Sequence, residues 1–228
     1  VPFIYTPGDN EWADCSRVSA GHYNELERLN KLRKLFFAEP KSLGQRTVPV
    51  ERQSAESPEN LRWKLGPVLF LSLNVPGPNN NFGMGRTAKP EYLERTPHVI
   101  DWIKQGFALA RREESAGIVI VMQGNPAFQH FAAGLGHSGF RDLLEALLQE
   151  TLGFPGQVLL IHGDTHWHRI DKPLRDRASG RRVENFTRLE TFGYPIMGWA
   201  KVIIDTESPS LFRFESHSYT PAPIAEQR

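Results

Sequence analysis

Four things are scarce in this chain, and each scarcity excludes something. There is one cysteine, Cys15, among 228 residues, so an internal disulfide and any cysteine-rich zinc site are excluded. Methionine is rare and first occurs at Met84, which leaves two accounts of Val1: a leader has been removed, or an earlier part of the domain lies upstream. Neither charge dominates, with 27 basic against 26 acidic residues and a net charge of +1. That balance argues against a general binder of nucleic acid or of anionic membranes. No apolar run approaches the roughly 20 residues of a spanning helix. Compartment and oligomeric state stay open.

What is present is the material of one good-sized soluble core. The opening Val1–Thr6 is apolar, β-prone and closed by Pro7-Gly8, as a buried strand would be. Leu26, Leu29, Leu32, Leu35 and Phe36 recur at helical spacing until Pro40. Residues 41–60 are a polar, proline-dotted loop. Leu61–Lys64 and Val68–Leu73, split by Gly66-Pro67, read as a hairpin or as two adjacent strands, and "NVPGPNNNFGMG" is a loop. Helices are expected over Tyr92–Ser115, with Pro97 marking a late start or kink, and over Phe140–Leu152, with a glycine-rich loop at 124–138 between them. "GIVIVMQ" and "QVLLIHGDTHWHR" contain continuous aliphatic runs and read as strands buried on both faces. From Val183 the pattern is strands alone, at 183–191, 199–205 and 211–216. The chain thus divides into a domain over 1–216 and a tail over 217–228, and the order of elements predicts an α/β sheet with part of a second sheet against it.

In such sheets chemistry gathers where strands end. Three segments deliver polar clusters to one rim: "GDNE" at 8–11, "MQGNP" at 122–126 and "HGDTHWH" at 162–168. The last holds three of the eight histidines within seven residues, together with Asp164. An extended backbone would point His162, Asp164, His166 and His168 to one side and Trp167 to the other. Imidazole and carboxylate are the usual side-chain ligands of Zn²⁺, Mn²⁺ or Fe; the competing explanation is rim histidines bonded to loop carbonyls. For Gln123 and Asn125 the competing explanation is an amide tying its loop to the backbone. Arg175, Arg177, Arg181, Arg182 and Arg188 follow the histidines. They suit either a phosphate clamp or a solvated loop, with Arg188 set apart by its strand-like surroundings.

In this order the clusters resemble the calcineurin-like metallophosphoesterases. Gly8-Asp9-Asn10-Glu11 matches the Gly-Asn-His-Glu motif of that family, and Gly163-Asp164-Thr165-His166 its Gly-His-x-His. The chain is most similar to a bacterial branch carrying "TPGDNEW", "NNN", "HGDTH" and "NFTRLETFG" in sequence, and the resemblance spans essentially all of it. It implies a four-layer α/β/β/α sandwich of the metallo-dependent phosphatase type, N-terminally incomplete. Val1–Thr6 would be its third strand, and its Asp-x-His and Gly-Asp motifs would be missing. It also implies two divalent ions about 3.5–4 Å apart sharing a hydroxide that attacks phosphorus. Asp9, His166, Asp164 and one of Gln123 and Asn125 fall at ligand positions. Asn10 replaces the histidine that assists the leaving group, so His162 or His168 becomes the candidate acid. Arg188, Asn79 and Asn80 are candidates for binding substrate. Among Mn, Mg, Fe and Zn, oxygen-rich ligands favour a harder ion, Mn²⁺ or Mg²⁺, at the substituted position. The expected activity is hydrolysis of a small phosphorylated substrate, a phosphate mono- or diester. The alternative is a catalytically silent module that binds a phosphorylated ligand or protein on the same scaffold.

Overall fold

The computed structural model describes residues 1–83, 85, 87–135 and 138–219. Its elements in chain order are α1 (Glu25–Phe36), β1 (Glu51–Arg52), β2 (Leu61–Leu65), β3 (Val68–Ser72), α2 (Pro90–Arg112), β4 (Gly117–Val121), α3 (Phe128–Ala132), α4 (Arg141–Leu152), β5 (Gln157–His162), β6 (Arg169–Asp171), β7 (Phe186–Glu190), β8 (Gly198–Ile204) and β9 (Phe212–Ser218). Seven strands form one mixed sheet in the order β1-β2-β3-β4-β5-β7-β6, and β8 and β9 form a second. The central β3, β4, β5 and β7 are parallel, while β1, β2 and β6 join antiparallel at the edges.

Period-two alternation explains the layering. Leu69, Leu71, Ile118, Ile120, Val158 and Leu160 face α2 and α4, and meet Trp102, Ile103, Phe107, Leu144 and Leu147. Their neighbours Val68, Val119, Leu159 and Leu189 face the other way, onto Phe212 and the Ala200, Val202, Ile204 and Phe214 side of the β8–β9 hairpin. The result is helices, large sheet and small sheet, stacked in that order. Two features hold the loops above the sheet. Leu29 and Leu32 of α1 pack on Trp12 and so hold down the segment that carries Asp9. From α2, Arg95 donates to the Asn74 carbonyl at 2.9 Å, the Asn80 side chain at 2.6 Å and the Asn80 carbonyl at 2.9 Å, clamping the loop after β3.

Several boundaries differ from expectation. Val1–Thr6 is not a buried strand: Val1 is 90% exposed, and only Phe3 pairs, with Leu43, through two 2.8 Å bonds. Pro2 and Pro7 bracket the segment and interrupt any ladder at its two ends. The strand expected through residue 169 stops at His162, and β6 is a separate edge strand. The glycine-rich loop contains α3. Strand β9 continues to Ser218, two residues into the expected tail; residues 220–228 of that tail lie outside the described residues, as do Met84 in the loop after β3 and residues 136–137 in the loop before α4. No described helix is long and apolar enough to cross a membrane.

Candidate functional site

The carboxyl ends of β4 and β5 lie side by side, and the Gly163 N–H donates to the Gln123 carbonyl at 3.0 Å. The loop after β3 joins them where the Gly124 N–H reaches the Val75 carbonyl at 2.8 Å. Gln123 stands at the centre. Its Nε2 donates to Asp9 Oδ1 at 2.9 Å, and its Oε1 accepts from the Gly77 N–H at 2.6 Å. Asp164 closes the arrangement, taking the Asn125 N–H on Oδ2 at 3.1 Å. A Cβ at Gly77 would lie 2.4 Å from Asp164 Oδ1 and 2.6 Å from Oδ2. The backbone of residue 77 therefore approaches this carboxylate as only glycine permits.

Electrostatics mark the same place. Burial pushes the Asp164 carboxyl up from its ordinary value; the Asn125 N–H opposes that, and the charges of Asp9 and Glu190 add to it. Asp14, which sequence reasoning passed over, is raised by burial against the pull of Arg17, with Asp9 and Asp164 adding. Its backbone N–H donates to the Asp9 carbonyl at 2.9 Å. The charge of Asp9 thus weighs on both Asp14 and Asp164 and makes each harder to ionise. A bound cation would reverse that cost.

The remaining residues expected at the site are held elsewhere. Asp164 and His166 adopt left-handed backbone, at φ 78° and 61°, so the chain turns after His162 and the anticipated alternation is lost. His166 is exposed and directs Nδ1 to the Tyr194 carbonyl at 2.7 Å. His168 stacks on Phe192 with both nitrogens engaged, Nδ1 with the Glu190 carbonyl at 2.8 Å and Nε2 with Ser216 Oγ at 2.7 Å. It pins the turn to the small sheet and has no nitrogen left for acid chemistry. His162 is 1% exposed, with Nδ1 on the Gly163 carbonyl at 3.1 Å. Burial, helped by Arg188 and Arg169 and opposed by Glu190, pushes it down to about 4, so it is neutral at pH 7 and cannot act as an imidazolium acid. The carbonyl-bonded explanation of the histidines is the one the structure bears out. Asn10 is exposed and donates its backbone N–H to Asp9 Oδ1 at 2.9 Å. Asn125 is a loop tie: its Nδ2 meets Thr165 Oγ1 and its Oδ1 meets the Ala127 N–H, each at 3.1 Å.

The three expected substrate contacts are also engaged internally. Asn79 and Asn80 sit in left-handed backbone. The Asn79 Oδ1 accepts from the Gly139 N–H at 2.8 Å, and the Asn80 Nδ2 donates to the Gly139 carbonyl at 2.9 Å. Arg188 is 0% exposed and lies 5.4 Å from the Phe128 ring centre. It grips Asp171 with Nε at 2.7 Å and with Nη2. A guanidinium in that position holds β6 against β7 and cannot reach a ligand. Arg188→Ala is expected to cost about 3 kcal/mol in urea unfolding, with Arg188→Met recovering most of it because the apolar chain refills the space.

A comparison with models of known protein families finds no match to this chain, and a comparison with curated proteins finds no significant similarity. Fit to an ion is therefore judged on the donors alone. Among the described residues no three His, Cys, Asp or Glu side chains converge on one point. What the rim offers is two carboxylates, Asp9 and Asp164, with the Gln123 amide beside them. Gln123 turns its N–H to Asp9 and keeps its oxygen on the Gly77 N–H, so the oxygens offered to an ion are those of the two carboxylates, the donor type of hard divalent ions.

Proposed function

We propose that the chain is a metal-dependent phosphoesterase that hydrolyses phosphate mono- or diesters. On this reading the helix–sheet–sheet stack represents three layers of the four-layer α/β/β/α sandwich. The observation that carries the proposal is the meeting of Asp9, Gln123 and Asp164 at the carboxyl edge of a parallel sheet, from three separate loops. Asp9 and Asp164 would hold Mn²⁺ or Mg²⁺. Such an ion, when bound, lowers the pKa of water and offsets charge on the phosphoryl oxygens. The chain's own contribution is placement: Gln123 fixes Asp9, Gly77 fixes Gln123, and the Asn125 N–H fixes Asp164. With His162 neutral, His168 bonded at both nitrogens and His166 turned to the Tyr194 carbonyl, none of the three histidines is assigned to proton exchange.

The alternative, a silent module that holds a phosphorylated ligand or protein, is favoured by one observation: His166 is bonded to Tyr194 and not to the carboxylates. Turnover of p-nitrophenyl phosphate and its bis ester with Mn²⁺ separates the two. Metal-dependent hydrolysis that falls about 100-fold or more in Asp9→Asn and in Asp164→Asn is the expected result. Mn²⁺ and phosphate binding without turnover would select the silent module. Hydrolysis indifferent to both substitutions would overturn the site.

A further inference from the structure

The geometry assigns to Glu190 the task of positioning Asp164. Glu190 ends β7, is 0% exposed, and uses both carboxylate oxygens: Oε1 accepts from Thr165 Oγ1, and Oε2 from Arg169 Nε at 2.7 Å. A fully buried carboxylate is costly unless it is charge-paired and hydrogen-bonded, and an apolar residue would serve the core there equally well. What the carboxylate does that an apolar residue cannot is orient a hydroxyl. Thr165 Oγ1 gives its proton to Glu190 and so presents its lone pairs to Asn125 Nδ2, 3.1 Å away. Asn125 in turn accepts the Ala127 N–H on Oδ1 and donates its own N–H to Asp164 Oδ2. The first two bonds polarise one another, and the last acts by position, because the fixed Asn125 side chain sets where its backbone N–H points. The relay Glu190–Thr165–Asn125–Asp164 joins the end of β7 to the loop after β4 and to the turn after β5.

The turn needs such a hold. Its Asp164 and His166 are both left-handed, a conformation L-residues adopt at a cost. The main chain beside Glu190 is itself fixed, since its carbonyl accepts from His168 Nδ1 and the next N–H, of Thr191, donates to the His162 carbonyl at 2.8 Å. Glu190 is therefore a fixed point from which the turn is set. Its importance to a bound ion rests on the reading of Asp164 as a ligand; the relay itself does not.

The test uses Thr165→Val, which keeps the shape and removes the hydroxyl, Thr165→Ser, which restores the hydroxyl, and Glu190→Gln. Hydrogen exchange of the Asn125 N–H reports where Asp164 lies, and the Gly163 N–H, bonded to the Gln123 carbonyl, is the internal control. Thr165→Val and Glu190→Gln are expected to speed exchange at Asn125 about tenfold or more relative to Gly163 and the amides of β4 and β5; the Tm stays unchanged in Thr165→Val and falls in Glu190→Gln, which also breaks the buried pair with Arg169. Mn²⁺ affinity, read by electron paramagnetic resonance, should weaken 10- to 100-fold, roughly as for other groups that orient a ligand. Thr165→Ser should return both quantities to near the parent value. Unchanged exchange at Asn125, or acceleration shared by every sheet amide, would overturn the relay. If the parent chain takes up no Mn²⁺, the metal reading fails while exchange at Asn125 still decides the relay; if Mn²⁺ binds and the variants bind it equally, Glu190 has no part in holding it.

Discussion

If the chain is the phosphoesterase proposed above, Gly77→Ala should reduce its metal-dependent activity about 100-fold while leaving the fold intact. The new methyl carbon would arrive 2.4 Å from Asp164 Oδ1, well inside contact distance, and one of the two must move. The backbone at Gly77 is not in the left-handed region, so alanine is tolerated conformationally and the damage is confined to the carboxylate. The bond between the Gly77 N–H and Gln123 Oε1 would be strained by the same displacement, which shifts Asp9 as well. A displacement of about 1 Å at a reacting centre commonly costs about two orders of magnitude. The check is kcat/KM for p-nitrophenyl phosphate set beside the Tm. A Tm within a few degrees of the parent with activity retained would show that Asp164 has room to retreat.

Acid should destabilise the protein through His162. The buried imidazole stays neutral until about pH 4, whereas in the unfolded chain it titrates at its ordinary 6.5. Between those values the unfolded state binds a proton that the folded state refuses. Stability is thus at its full value above about pH 6.5 and declines as the pH falls toward 4, by about 3 kcal/mol in all. Glu190 works against this trend, while Arg188 and Arg169 work with burial. Urea unfolding of the parent and of His162→Leu across pH 7 to 4.5 measures the contribution as the difference in slope. Parallel curves would show that the histidine is solvated after all.

Particular residues show why some of this was legible and some was not. The aliphatic runs at 117–121 and 157–162 are too long and too β-branched to be anything but central strands, and both are parallel neighbours in the sheet. Gln123 and Asp164 could be nominated because polar residues placed directly after such strands have few other destinations, whereas Asp9 was nominated from a strand at Val1–Thr6 that does not form. The histidines misled because the period-two argument assumes extended backbone, and nothing in "GDTHWH" announces two left-handed residues in the way a glycine would. Arg188 misled for a different reason. Its partner Asp171 belongs to a three-residue strand too short to leave a pattern, so the sequence does not announce the pairing. Gly77, Asp14 and Glu190 carry no local signal; their roles depend on contacts between segments far apart in the chain. Only the "NNN" triplet offered a hint that went unused, since three asparagines in a row suit a left-handed turn better than a ligand.

The central strands run parallel, and this has a kinetic consequence. Residues 9, 77, 123 and 164 are far apart along the chain, and 123 and 164 are delivered by the successive crossovers β3 to β4 and β4 to β5. No early hairpin or isolated helix can bring them together, so the carboxylate pair exists only after the slow, long-range closure of the whole sheet. Any ion captured there is a reporter of completed folding, and by mass action it also holds the finished sheet closed.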